Sequence, residues 1–311
     1  MSNLGQKRRR IFAMLFAVTI AALGGCGASP AGPLTSSTAP TGSATASQAV
    51  GPQYDTVHVY VQPGQFDNFV RSWISTFGGT TSTKVITNVT PTPSTTASQL
   101  VFSPVGTLSV FEFSSPIPFP FGTERTGWLV RDFDAGVVQA REAGAVLQVS
   151  PFDDPVGRDA VVQFPGGVNA QLYWHTAAPS YAPLTSVPDN RVYISGDAAD
   201  AFLKSYSTFT HARVVSDNAS ADGASIGRPG RPFRQIRLKS DFGNTVVIAT
   251  DGKLPYPYGH EVAGYAVGDV PATVAKAHSS GAAVLVPVGP GVPSSALLQF
   301  PGGYIAEIHS A

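Results

Sequence analysis

Apolar and polar residues alternate along many short stretches of this chain and recur at spacings of three and four along a few others. From Tyr54 to Val61 the alternation is of strand type, with Val57, Val59 and Val61 on one face and His58 and Tyr60 on the other. Phe66, Phe69, Val70, Trp73, Ile74 and Phe77 then fall on one side of an amphipathic helix that Gly78 and Gly79 end. Strand patterns follow at 84–89, 99–103 and 107–113, so the unit reads β-α-β-β-β. A Pro-rich link over 115–121 leads to a second such unit. It has a strand at 127–130, a helix opened by the Asp132 carboxylate and ended at Gly144, and strands at 146–149, 159–164 and 169–174.

Both units return in the second half of the chain. Arg191-Val192-Tyr193-Ile194 stands 133 residues after His58-Val59-Tyr60-Val61, and Phe202–Tyr206 stands 133 after Phe69–Trp73. Strands at 212–216, 234–239 and 244–249 complete the third unit. The fourth has a strand at 264–267, a helix from Asp269 to Gly281, and strands at 283–286, 296–300 and 305–309. Gln163-Phe164-Pro165-Gly166-Gly167 recurs 136 residues later as Gln299-Phe300-Pro301-Gly302-Gly303. This nested repetition predicts an α+β fold class. Four βαβββ modules pair into two domains, 54–176 and 190–311, joined by a linker over 177–189.

Composition adds a compartment. The 311 residues carry 20 basic and 20 acidic side chains, so there is no net charge and no basic patch, and nucleic acid is not an expected partner. Lys7-Arg8-Arg9-Arg10 precedes an apolar run of 13 residues, Ile11 to Leu23, too short to span a membrane as a helix. Leu23-Gly24-Gly25-Cys26 resembles a bacterial lipobox. The expectation is a lipoprotein signal peptide over 1–26 with lipidation at Cys26. A disordered Ser/Thr/Pro/Ala tether over 27–53 then holds the folded body at the extracytoplasmic face of the cell membrane. Cys26 is the sole cysteine, which excludes an intrachain disulfide and a catalytic thiol in the body. No phosphate-binding loop, His-Glu zinc helix or Ser-His-Asp set appears.

The stretches Gly127–Trp174 and Gly264–Ile308 share a strand, an Asp-x-x-Ala helix start, a Gly-Ala turn, a strand and a Phe-Pro-Gly-Gly hairpin. In these residues the chain resembles the vicinal oxygen chelate superfamily, the glyoxalase, bleomycin-resistance and extradiol dioxygenase fold. The family hairpin usually reads Asp-Pro-(Asp/Glu)-Gly, and Phe164 and Phe300 replace its Asp. The resemblance implies two glyoxalase-like domains with curved mixed sheets. Each closes on a cleft in which His, Gln and Glu from first and last strands hold a divalent metal.

Carried over by position, the ligand set falls on His58 and Glu112 in the first module, near Arg125 or Thr126 and on Gln171 in the second. In the second half it falls on Arg191, about Val262, about Val247 and Glu307. The first domain alone keeps metal candidates, His58 and Glu112. Ligand-facing candidates are Tyr60, Trp128, Gln171 and Tyr173 in the first domain, and Tyr193, Tyr265 and Glu307 in the second. The expected partner is a small molecule bound without a cofactor. The alternative is a divalent-metal-dependent lyase, isomerase or dioxygenase with its site in the first domain.

Overall fold

The computed structural model describes residues 47–49, 53, 57–177, 179–184, 186–257, 259–289 and 294–311. The expected signal peptide, Cys26, Tyr54 and most of the tether lie outside the described residues.

The first module runs β1 (Val57–Tyr60), α1 (Phe66–Phe77), β2 (Thr80–Thr81), β3 (Val85–Thr87), β4 (Thr96–Ser103) and β5 (Gly106–Phe113). The second runs β6 (Gly127–Leu129), α2 (Phe133–Glu142), β7 (Val146–Asp153), β8 (Gly157–Phe164) and β9 (Val168–His175). In the second half come β10 (Asp189–Ser195), α3 (Ala199–Thr210), β11 (Arg213–Ala221), β12 (Phe233–Ser240) and β13 (Gly243–Thr250). The last module is β14 (Glu261–Val267), α4 (Val270–Ser279), β15 (Ala283–Val286), β16 (Ser295–Gln299) and β17 (Ile305–Ser310). The Asp132 and Asp269 carboxylates accept from the amides of Ala135 and Ala272, the N-caps that open α2 and α4.

Each module has its first and last strands side by side and parallel: β1 with β5, β6 with β9, β10 with β13, and β14 with β17. The third and fourth modules merge into one mixed eight-stranded sheet, because β10 pairs antiparallel with β14, Asn190 opposite Ala263. The first and second modules meet at the equivalent place more sparingly. There Val57 bridges Thr126, and the His58 amide donates to the Arg125 carbonyl at 2.9 Å. Both halves therefore have the same strand order.

The cores do not follow the halves. One buried cluster joins Trp128, Phe133, Phe164 and Leu172 of the second module to Phe202, Tyr206, Phe209 and Phe242 of the third. Another joins Phe69, Trp73 and Leu108 of the first module to Tyr265, Ala277, Phe300 and Tyr304 of the fourth. These are the helix-covered faces of the sheets. The repeated Phe-Pro-Gly-Gly hairpins tie them together. Phe164 packs on Phe202, Tyr206 and Phe209, while Phe300 packs on Phe69, Trp73 and Phe77. Gln62 donates its amide to the Gly302 carbonyl at 3.0 Å, again across the halves. A Cβ on Gly302 would come within 2.8 Å of the Val61 side chain, and the residue sits at φ +85°. Glycine there is needed both for the turn and for the close approach.

Three residues assigned to the tether belong to this body. Gln53 exchanges hydrogen bonds with the main chain of Leu129, Ala49 bridges Val130, and Gln48 accepts from Arg131 and Asp132. Beyond the single Thr126 bridge, the edge of β6 has unpaired main-chain groups, and these residues satisfy them.

Candidate functional site

The uncovered face of each sheet is where paired strands set side chains next to one another. In the first half the register places His58 beside Ser109 and Gly127 beside Gln171. In the second it places Arg191 beside Val246 and Gly264 beside Glu307. Sequence matching put one of the two positions one to three residues away in each of the four modules. The strand interiors, not their apparent starts, set the register.

On the first half this face opens into a cavity of about 570 Å3. His58, Tyr60, Leu100, Phe111, Gln171 and Tyr173 form its floor and walls, and Val85, Val89, Phe121, Val156 and Tyr181 surround it. The lining is apolar and aromatic with a few converging polar groups, which suits a small organic ligand. Behind the floor is a buried polar cluster. The Tyr60 hydroxyl donates to Glu124, whose carboxylate is wholly buried, and the Arg125 guanidinium lies 5.4 Å over the Tyr60 ring. Burial, with the Glu124 charge next, pushes the Tyr60 hydroxyl well above its ordinary pKa, so it stays protonated. His58 is buried, its Nδ1 is 3.9 Å from Glu124, and that nitrogen has no hydrogen-bond partner among the described residues.

Gly127 is part of this arrangement. A Cβ there would stand 2.8 Å from His58 Nε2 and 3.5 Å from the Tyr173 ring. Gly127→Ala is expected to displace the imidazole and to cost about 1–3 kcal/mol in denaturant unfolding, as an overpacked core does. Shifted His58 ring resonances in NMR would accompany the loss; an unmoved ring would refute the packing.

The second half fills much of the same face. Tyr193, Phe233, Ile248, Tyr256, Val262 and Leu297 pack together there as a third core. What remains open is a smaller polar pocket of about 210 Å3 around Asp189, Arg191, Gln235, Arg237, Glu307 and His309. Arg191 Nη1 is 3.4 Å from Glu307, and Glu307 also takes the His309 Nδ1 contact at 2.6 Å. Burial pushes the Glu307 carboxyl up, but Arg191 and His309 outweigh it and hold it below the usual carboxylate value.

The structure brings together Tyr60, Gln171, Tyr173 and His58 at the first cavity. Trp128 and Tyr265 lie on the opposite, helix-covered faces, because each follows the glycine that faces the cleft. Tyr193 faces the second cleft but is packed into its filling, and Glu307 stands in the ion pair with Arg191. Glu112 is not beside His58. It shares the covered face of β5 with Val110 and accepts from the amides of Gln65 and Phe66, where α1 begins. Sequence reading missed Glu124, Ser109 and Gly127; the first two have no motif around them. The loop that follows β7 is held by its own contacts. Arg158 pairs with Asp134 at 3.2 Å, and Asp154 closes its own turn onto the amides of Val156 and Gly157.

No family model and no curated protein sequence matches the chain. Solved structures do match. A mutant 4-hydroxymandelate synthase from Streptomyces coelicolor aligns over 83% of this chain and 93% of its own, with TM-score 0.58 and 13% identity. A 2,2',3-trihydroxybiphenyl 1,2-dioxygenase from Sphingomonas wittichii aligns over 84% and 90%, with TM-score 0.52 and 12% identity. An Mn(II)-bound glyoxalase from Novosphingobium aromaticivorans aligns over 85% and 83%, with TM-score 0.51 and 12% identity. The protein has the vicinal oxygen chelate fold. Each half sets four positions side by side where the first and last strands of its modules pair. In the first half they supply an imidazole, a hydroxyl, a bare glycine and an amide. In the second, a guanidinium lies against the carboxylate. Among the described residues no three His, Cys, Asp or Glu side chains converge. The donor set is therefore poorer than the His, Gln and Glu set that the sequence resemblance implies.

Proposed function

We propose that this protein is a membrane-anchored, extracytoplasmic small-molecule-binding protein that uses the vicinal oxygen chelate fold without a metal. Its ligand is a small aromatic or apolar compound seated in the cavity of the first half. The observation that carries this is the lining itself: Phe111, Tyr60, Tyr173 and Leu100 surround a site that His58, His175, Asp154 and Asp159 also line, yet among the described residues no three such donors converge. Aromatic walls hold a planar ligand by area and by ring stacking, and Gln171 and Tyr173 add polar contacts. Thermal denaturation against a panel of phenols and catechols tests the reading. Stabilisation that rises with ligand concentration and vanishes in Phe111→Ala is expected; no stabilisation by any member counts against it.

The alternative is a metal-dependent lyase, isomerase or dioxygenase in the same cavity. The solved neighbours favour it, since they include a 2,2',3-trihydroxybiphenyl 1,2-dioxygenase and an Mn(II)-bound glyoxalase. Elemental analysis of the purified protein separates the two readings. Stoichiometric metal that is lost in His58→Ala would replace the metal-free reading. The anchor rests on Leu23-Gly24-Gly25-Cys26. Cys26→Ser is expected to move the protein out of the membrane fraction or leave it unprocessed, and an unchanged fractionation would remove the lipoprotein assignment.

A further inference from the structure

The two uncovered faces are built on one frame, so their chemistry can be compared position by position. Leu100 pairs with Ser109, and Arg237 pairs with Val246 at the equivalent place. Likewise Ser98 corresponds to Gln235, His58 to Arg191, Gln171 to Glu307 and Tyr173 to His309. Where the first half lines a cavity with apolar and aromatic groups, the second half lines one with charged groups.

The charges of the second pocket are largely matched internally. Glu307 is held by Arg191 and His309, Asp189 accepts from Asn244 at 3.1 Å, and Asp222 accepts from the Ala224 amide. Arg237 is different. It is half-buried, it lines the pocket, and its charge helps hold Glu307 ionised, yet no hydrogen bond or close ion pair reaches its guanidinium among the described residues. Residues 290–293 are Pro-Gly-Val-Pro and bring no carboxylate. Buried Arg191 adds an Nε with no partner among the described residues, and the Gln235 and Ser295 side chains make no hydrogen bond there either. A half-buried guanidinium whose N–H groups meet no acceptor is unfavourable, and its planar fork fits a carboxylate through two parallel hydrogen bonds.

We propose that the pocket between Arg237, Gln235, Ser295 and Arg191 is a second binding site, taking a small organic carboxylate with Arg237 as its principal contact. The cavity admits a small acid and not a bulky one. Its chemistry is opposite to that of the first cavity, so the two sites select different molecules.

The test is thermal denaturation and calorimetric titration of the full-length protein with succinate and benzoate at matched ionic strength. Propionamide serves as the uncharged control and inorganic phosphate as the competing oxyanion. A carboxylate is expected to stabilise the protein and to bind about tenfold or more weakly to Arg237→Gln. Because Arg237 leaves no hydrogen-bonded partner behind and Glu307 keeps Arg191 and His309, Arg237→Gln is expected to fold as the parent does, which circular dichroism checks. Leu100→Ala, in the first cavity, should leave carboxylate binding unchanged. Absence of stabilisation by either acid overturns the proposal, as does equal binding to Arg237→Gln. Equal stabilisation by propionamide or phosphate overturns its carboxylate class, and loss in Leu100→Ala instead would assign the acid to the first cavity.

Discussion

Replacing Trp73 with alanine is expected to lower the unfolding free energy by about 3–5 kcal/mol, the usual cost of emptying a fully buried indole site. Trp73 has no exposed surface and contacts Phe69, Phe77, Tyr265, Phe300 and Tyr304. Three of those five partners belong to the fourth module. The damage should therefore appear in both halves at once, although Trp73 lies in the first. Denaturant unfolding followed by hydrogen exchange should show amides of β17 losing protection together with those of β5. Loss confined to the first half would show that the shared core is not energetically shared. The same reasoning predicts that residues 54–176 expressed alone do not fold stably, because each core would lack its other side.

Glu261→Gln is expected to raise stability above pH 7 by roughly 3 kcal/mol and to flatten its pH dependence. Burial pushes the Glu261 carboxyl from its ordinary value of 4.5 to about 7, against the hydrogen bonds from the Arg125 amide and Asn190. Below pH 4.5 the group is protonated whether the chain is folded or not, and it costs nothing. Between 4.5 and about 7 the unfolded chain loses this proton while the folded protein keeps it. Stability accordingly falls by about 1.4 kcal/mol per pH unit across that window and levels off above it. Glutamine removes the proton equilibrium, and Asn190 can turn its amide to accept from it. Urea titrations of both proteins between pH 4 and 8, compared as a difference, isolate this group. A difference that does not change with pH would mean that Glu261 is ionised in the fold.

Much of this architecture was legible because it rests on local signals. The four modules follow from alternation, helix spacing and the caps at Asp132 and Asp269. The duplicated Phe-Pro-Gly-Gly turns were visible as a repeat, but not as what they are. A repeat shows that a hairpin is used twice, not that Phe300 reaches over to Phe69 and Trp73. Long-range partners leave no period in the sequence. The site was harder for another reason. Side chains alternate across a strand, so a one-residue error in register sends a residue to the wrong face. That is how Trp128 and Tyr265 were expected in the clefts while Gly127 and Gly264 occupy them. Glu112 was misplaced for the same reason, since Ser109 and Phe111 are its neighbours on the cleft side. His58, Tyr60, Gln171 and Tyr173 were placed by strands whose registers were unambiguous. Gln48 and Gln53 gave no apolar signal, because they act through main-chain and amide hydrogen bonds, and the one methyl group that Ala49 adds to the core makes no pattern.

The crossed cores bear on how a ligand gets in. Many two-lobed proteins close on a guest by swinging one lobe about a hinge, and the swing costs little when each lobe keeps its own core. Here any rotation of one half against the other would tear both clusters, with Phe164 and Phe300 pulled from their aromatic seats. That motion is denied to this molecule. Entry to the first cavity falls to the segments at its rim, Val85 to Thr90, Phe121 and Asp154 to Val156, while the frame beneath them stays fixed.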